Sequence, residues 1–221
     1  MARTGWIQFA LLLICYSTAA AQADARADIP LLQRADSARI FGSETAELII
    51  DEYFDFACGD CRQFYLLKGD SLKALLEEQD AIFILRVYPI PRLLRGYQAA
   101  EAAFCAAALG DAPGFLGMVN QLFTFQNAWK PALDPTPFFE AYAEDMNLPL
   151  AAFSDCLRRD VMSPLIINDI RMATSAEVPG TPTFVFNKKG ETYTGKESFY
   201  GVQPMDRFIE SIETLKQREQ N

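Results

Sequence analysis

Histidine is absent from all 221 residues. Serine hydrolases with a His base, Cys–His proteases and His-ligated metal centres all need an imidazole, so those classes are excluded. Positive charge is scarce as well: 20 Lys and Arg stand against 29 Asp and Glu, a net charge of −9. Nucleic acid and anionic membrane would both be repelled as main partners. Internal repeats and low-complexity stretches are missing, and 50% of the residues are hydrophobic. That composition excludes disordered and collagen-like classes and supplies a real core. Cysteine, carboxylate and lysine remain for catalysis. The length suits one domain, or one domain carrying an insertion.

Charge is nearly missing from the first 23 residues, where Arg3 stands alone. An apolar stretch from Trp6 to Thr18 runs into Ala19, Ala20 and Ala21, and Ala21-Gln22-Ala23 is a small-x-small cleavage site. This order predicts a cleavable signal peptide over 1–23, with an uncleaved anchor as the alternative. Cys15 follows Ile14 rather than a small residue and sits inside the apolar run, so it is read as part of the removed peptide. Export places the mature chain in the periplasm, an oxidising compartment where disulfides persist. Four cysteines then remain, Cys58, Cys61, Cys105 and Cys156, and four allow three pairings.

Residues 24–37 read as a short polar lead-in. The segment 47–57, ELIIDEYFDFA, is short and rich in β-branched and aromatic residues, which predicts a buried strand. An amphipathic helix follows to about residue 78, with a break expected at Gly69-Asp70. The run 81–88, AIFILRVY, predicts a second buried strand, and a β–α–β succession implies parallel strands. From 94 to 174 the pattern is helical throughout. Helices are expected over 98–109 and 115–126, from Asp134-Pro135 towards Met146, over 149–159, and over 164–174 with Ser163 as cap. Strands return at 183–186 and 191–194, joined by a Lys188-Lys189-Gly190 turn, and 204–216 closes the chain as a helix.

The chemistry lies in Cys58-Gly59-Asp60-Cys61. A cysteine between a buried strand and a helix sits where unpaired amides and the helix dipole favour a thiolate. A second cysteine one turn on can close a disulfide with it, so the pair can cycle through mixed disulfides. Competing readings are half of a zinc site, completed only by Cys105 and Cys156, and a purely structural short-loop bridge. Val178-Pro179-Gly180-Thr181-Pro182-Thr183 precedes the late strand, and a proline at a strand's first residue is compatible with a cis bond.

EYFDFACGDC at 52–61, GTPTFVFN at 180–187 and GVQP at 201–204 resemble the DsbA-like thiol–disulfide oxidoreductases. The resemblance covers the chain from about residue 38 onward. It implies an α/β thioredoxin-like fold (β–α–β, then β–β–α) formed by 38–93 and 175–221, with an all-helical domain inserted at 94–174. It implies Cys58 as nucleophile, Cys61 as resolving thiol, and Thr181 with a cis Pro182 as the substrate-binding loop. Thioredoxin-fold enzymes often hold a buried acid six positions before the first cysteine, here Glu52. A carboxylate in an apolar strand is costly without a task or partner, so Glu52 is expected to carry the Cys61 proton. An exposed strand-end charge is the alternative. Asp51 and Asp55 lie on the other strand face and suit that role less well.

The resemblance also implies a bridge between Cys105 and Cys156, with two buried free thiols as the alternative. Closing that loop of about 50 residues would contribute up to about 4 kcal/mol. No organic cofactor or metal is implied for the redox centre. Implied partners are cysteine-containing exported proteins and a membrane redox partner, DsbB-type for an oxidant or DsbD-type for a reductant. Strong oxidants of this family resemble one another in carrying Pro-His between the cysteines, whereas this chain has Gly59-Asp60. A carboxylate near Cys58 opposes its thiolate, so a higher Cys58 pKa and a less oxidising couple than in those strong oxidants are expected. Thr181 resembles the residue of the isomerase and reductase branches, which leaves reductase or isomerase activity open. The short lead-in provides no dimerisation domain, so a monomer is expected. A reading from another class is a periplasmic chaperone or a Cu(I) carrier, since soft thiolates suit that ion.

Overall fold

The computed structural model describes residues 28–93, 95–193 and 195–217. The expected signal peptide, Cys15 included, lies outside the described residues, as does Thr194 at the end of the expected strand 191–194. The lead-in is structured: residues 28–38 are helical (α1), with Ala35 and Ala38 buried.

A five-stranded sheet forms the frame. Its strands are β1 (Ile40–Phe41), β2 (Leu48–Phe54), β3 (Ala81–Val87), β4 (Thr183–Lys188) and β5 (Glu197–Tyr200), in the order β1-β3-β2-β4-β5. β2 and β3 run parallel, joined by α2 (Gly59–Gln79), and the other pairs are antiparallel. Alternation along β2 separates two chemistries. Leu48 and Ile50 share a core cluster with Leu72 and Leu75 of α2 and with Phe208 and Ile212 of α8 (Met205–Gln217). Tyr53 packs on the other side with Ala173 of α7 (Ser163–Ser175).

The helical block is inserted between β3 and β4. It comprises α3 (Gly96–Thr124), α4 (Gln126–Trp129), α5 (Thr136–Asp145), α6 (Leu150–Arg158) and α7. α3 is long and apolar enough to cross a membrane by length and composition, but it is the core helix of the block: Ala99 to Ala108 are all buried. It bends where Gly110 and Asp111 leave helical geometry, at the point where a helix end was expected.

Three local expectations are corrected. α2 is continuous through Gly69-Asp70. An interior glycine costs about 1 kcal/mol, which burial of Phe64, Leu72 and Leu75 along the same helix offsets. Ser163 does not cap α7, because it is already the first residue of that helix and Met162 holds the N-cap position without a side-chain cap bond. The buried carboxylate of Glu101 instead accepts from Met162 N at 3.2 Å. The last strand is 197–200 rather than 191–194, since Tyr200 is the residue registered with Thr183.

Cys105 and Cys156 are disulfide-bonded across α3 and α6, with a Cα–Cα distance of 6.0 Å. Neither can therefore complete a Cys₄ zinc site. A buried ion network ties the block to the sheet. Asp169 of α7 pairs with Arg39 and Arg86 and accepts from Val87 N at 2.9 Å. Arg86 also holds Asp51, and Arg39 holds Asp36 at 2.6 Å.

Candidate active site

Chain direction in β2 delivers Cys58 to the N-cap of α2, in extended geometry with φ −78° and ψ 130°. Cys58 and Cys61 are both unbridged and buried. The sulfur of Cys58 lies 3.3 Å from the carbonyl oxygen of Thr181, and the Thr181–Pro182 peptide is cis. Residues 123 positions apart are thus brought into contact.

The two thiols are driven in opposite directions. The Cys58 pKa is lowered to about 6, first by a hydrogen bond from the Cys61 thiol, opposed by burial, and helped by Thr181 and the backbone N–H groups of Cys61 and Asp60. Burial, together with the Cys58 sulfur, pushes Cys61 well above the ordinary thiol value. Such a split makes one nucleophile and one protonated reserve thiol. The Thr181 hydroxyl is buried without a hydrogen-bond partner. An ionised sulfur stops donating to the carbonyl and becomes an acceptor for that hydroxyl.

Gly59 and Asp60 are exposed. Asp60 meets Cys58 through its backbone N–H, a donor that favours the thiolate, rather than through an opposing carboxylate. A Cβ on residue 59 would meet nothing within 4 Å, so packing does not require glycine there.

Glu52 is buried at 7% exposure, and burial raises its pKa to about 8. It is registered between Leu85 and Phe184, and its charge bears on Cys61. Its side chain lines a groove of about 760 Å³ bounded by Phe64, Leu72, Leu85 and Phe123. The alternative of an exposed strand-end charge is thereby corrected.

Two residues of the site were not foreseen. Asp55 is buried beside the redox turn, where Oδ1 accepts from Ala57 N and Oδ2 from Ile90 N, both at 2.8 Å. Burial raises its pKa to about 6, against those two bonds. An Asp two residues before the N–H that it caps is an Asx-turn signature, a signal present in the sequence. The other is Gln126 of α4, whose amide reaches the backbone on both sides of Ala57. In the sequence it stands beside Asn127 between Phe125 and Trp129, and nothing there singles it out. Among the described residues there is no cluster of three or more metal-ligating side chains.

Comparison with known proteins agrees with this geometry. A protein-disulfide oxidoreductase of Rickettsia prowazekii is 24% identical over 153 residues, covering 69% of this chain and 55% of that protein. Its Rickettsia felis counterpart is 23% identical over 180 residues, 81% of this chain and 59% of that protein. The chain thus spans little more than half the length of these relatives. Among solved structures, alpha-DsbA1 of Wolbachia pipientis superposes with a TM-score of 0.68 at 21% identity, covering 81% of this chain and 91% of that one. DsbA2 of Pseudomonas aeruginosa gives 0.64 at 18% identity, covering 80% and 93%. These likenesses establish a thioredoxin-like fold with an inserted helical domain. The sequence pattern of the family described as thioredoxin matches residues 34–203, and the chain belongs to that family.

Proposed function

We propose that this chain is an exported, periplasmic and monomeric thiol–disulfide oxidoreductase that forms or exchanges disulfides in cysteine-containing proteins. The observation that carries the reading is the pair Cys58 and Cys61, driven to opposite pKa shifts at the N-terminus of α2 and facing Thr181-Pro182. The names of the Rickettsia relatives support the activity. The leader pattern and the Cys105–Cys156 bridge support an oxidising compartment.

In the oxidising direction, a substrate thiolate attacks the Cys58 sulfur of the Cys58–Cys61 disulfide. The S–S bond breaks, the mixed disulfide forms, and Cys61 leaves as a thiolate. Cys61 is stable only protonated in its buried setting, and a protonated Glu52 supplies that proton. A second substrate thiolate then attacks the substrate sulfur of the mixed disulfide and expels Cys58 as a thiolate. Substrate loses two electrons and the redox pair gains them. A membrane oxidant of the DsbB type would take those electrons on, whereas a DsbD-type donor would drive the reverse, reductive reaction.

The extended substrate backbone docks against Thr181-Pro182, and Glu52, having given its proton to Cys61, takes another up from water through the groove beside it. Gly59-Asp60 tunes the couple through backbone donors. A Cys58 pKa of about 6 falls between the roughly 3.5 of the strongest oxidant and roughly 7 of thioredoxin, which favours an intermediate potential. The test is oxidative refolding of a reduced, two-cysteine secreted protein. The oxidised native chain is expected to accelerate it in stoichiometric amounts, Cys58→Ser and Cys61→Ser each to abolish this, and Cys61→Ser to accumulate a mixed disulfide when its Cys58 thiolate attacks the oxidised form of the same substrate. Acceleration that survives Cys58→Ser contradicts the reading.

A further inference from the structure

Two carbonyl oxygens flanking Ala57 face the same side chain. Gln126 donates from Nε2 to Phe56 O at 2.7 Å and to Cys58 O at 2.8 Å, across 70 and 68 residues of sequence. It is 3% exposed. Both protons of one nitrogen are used, which a primary amide offers without bringing a charge into the core. Cys58 O also accepts the first backbone bond of α2, from Arg62 N at 3.2 Å. Arg62 in return donates to Phe123 O at 2.8 Å, three residues before Gln126. The rings of Phe56 and Tyr65 pack on Phe123 at 5.3 and 5.0 Å.

These contacts grip the redox turn from the side of the inserted helices. A carbonyl oxygen is the negative end of its dipole, and two of them lie within two residues of the sulfur that must carry charge. Donors on both offset that field and prevent the turn from rotating.

We propose that Gln126 is a positioning residue of the redox centre: its amide holds Phe56 O and Cys58 O so that the N–H groups of Asp60 and Cys61 stay aimed at the Cys58 sulfur. Through it the inserted helical block acts on the chemistry rather than only covering it. The proposal rests on Cys58 being the reacting thiol.

The test combines the native protein with two variants. In the ¹⁵N-labelled native protein, both side-chain amide protons of Gln126 are expected to be shifted from free-amide positions and protected from solvent exchange. In Gln126→Met, the Cys58 thiolate fraction at pH 6 is expected to fall threefold or more. The exchange constant with glutathione should move towards the disulfide by the same factor. In Gln126→Glu the deficit should grow from pH 5 to pH 8, as a carboxylate forms against two carbonyl oxygens. Folding is checked by far-UV circular dichroism and by retention of the Cys105–Cys156 bridge. A folded variant with native titration and native exchange overturns the proposal, and so do free-amide signals for Gln126 in the native protein. The amide signals report on Gln126 whether or not Cys58 cycles. Failure of the redox reading, seen as no thiol exchange in the native chain, is therefore told apart from failure of this one.

Discussion

The Cys58 sulfur lies 3.3 Å from the Thr181 carbonyl oxygen, and the Thr181 hydroxyl beside it is buried without a partner. A thiol can donate to that carbonyl; a thiolate cannot, and accepts from the hydroxyl instead. Thr181 therefore offers one bond to each protonation state, with the stronger charge-assisted bond reserved for the thiolate. Thr181→Val removes only the second. Its Cys58 pKa should rise above the native value of about 6, and the glutathione exchange constant should move roughly three- to tenfold towards the disulfide. Thiolate absorbance near 240 nm against pH checks the first, and quenched equilibration checks the second.

Glu52 acts, in this account, on Cys61 rather than on Cys58. Glu52→Gln should slow first attack on the Cys58–Cys61 disulfide, the step in which Cys61 leaves and takes a proton, roughly 10²-fold, and leave release of Cys58 by the second substrate thiolate nearly unchanged. Rapid-quench separation of the two steps reads this directly. Equal slowing of both would assign Glu52 a structural role.

Glu101 gives a pH signature remote from the redox pair. Its carboxyl is buried, with Oε1 unpaired, and burial raises its pKa to about 8. An unfolded Glu titrates near 4.3, so between these values the folded state holds a proton that the unfolded state has lost. Stability from this group is greatest below about pH 4 and falls as pH rises, on the order of 1.4 kcal/mol per pH unit, until about pH 8. The stability difference between native protein and Glu101→Gln, measured by urea unfolding from pH 4.5 to 8, should fall over that window. A difference that stays flat would contradict it.

Asp169 and Arg39 are both fully buried and 130 residues apart. Asp169→Ala leaves Arg39 without its buried partner and frees Val87 N, which should destabilise by about 3–5 kcal/mol. Urea unfolding measures this. The Cys58 titration of the folded fraction should stay native, because the network lies on the Asp51 face of β2.

What the sequence revealed was local in nature. The strands expected over 47–57 and 81–88, found at 48–54 and 81–87, and the helix-heading CGDC were legible because each depends on neighbours along the chain, whereas Thr181-Pro182 and Glu52 were picked out by the family resemblance. Asp55, Gln126, Glu101 and the Asp169 network were not assigned. Their partners lie 35, 70, 61 and 130 residues away, and no periodicity records such pairings. Residues 191–194, ETYT, carry strand character, yet the antiparallel register with β4 is taken by 197–200. Pairing across the sheet overrode local propensity. At Asp60 the spacing suggested a carboxylate beside Cys58, whereas the side chain is exposed and its backbone N–H is what reaches the sulfur.

The central claim is that Cys58 and Cys61 form the working redox couple while Cys105 and Cys156 stand apart. Equilibrating the native chain and a Cys105→Ser, Cys156→Ser variant across a glutathione series, with acid trapping and mass determination, tests it most directly. The account predicts one two-electron transition in both proteins, between about −120 and −270 mV, with any trapped glutathione on Cys58. No transition in that range, or glutathione captured on Cys61 in preference to Cys58, would contradict it.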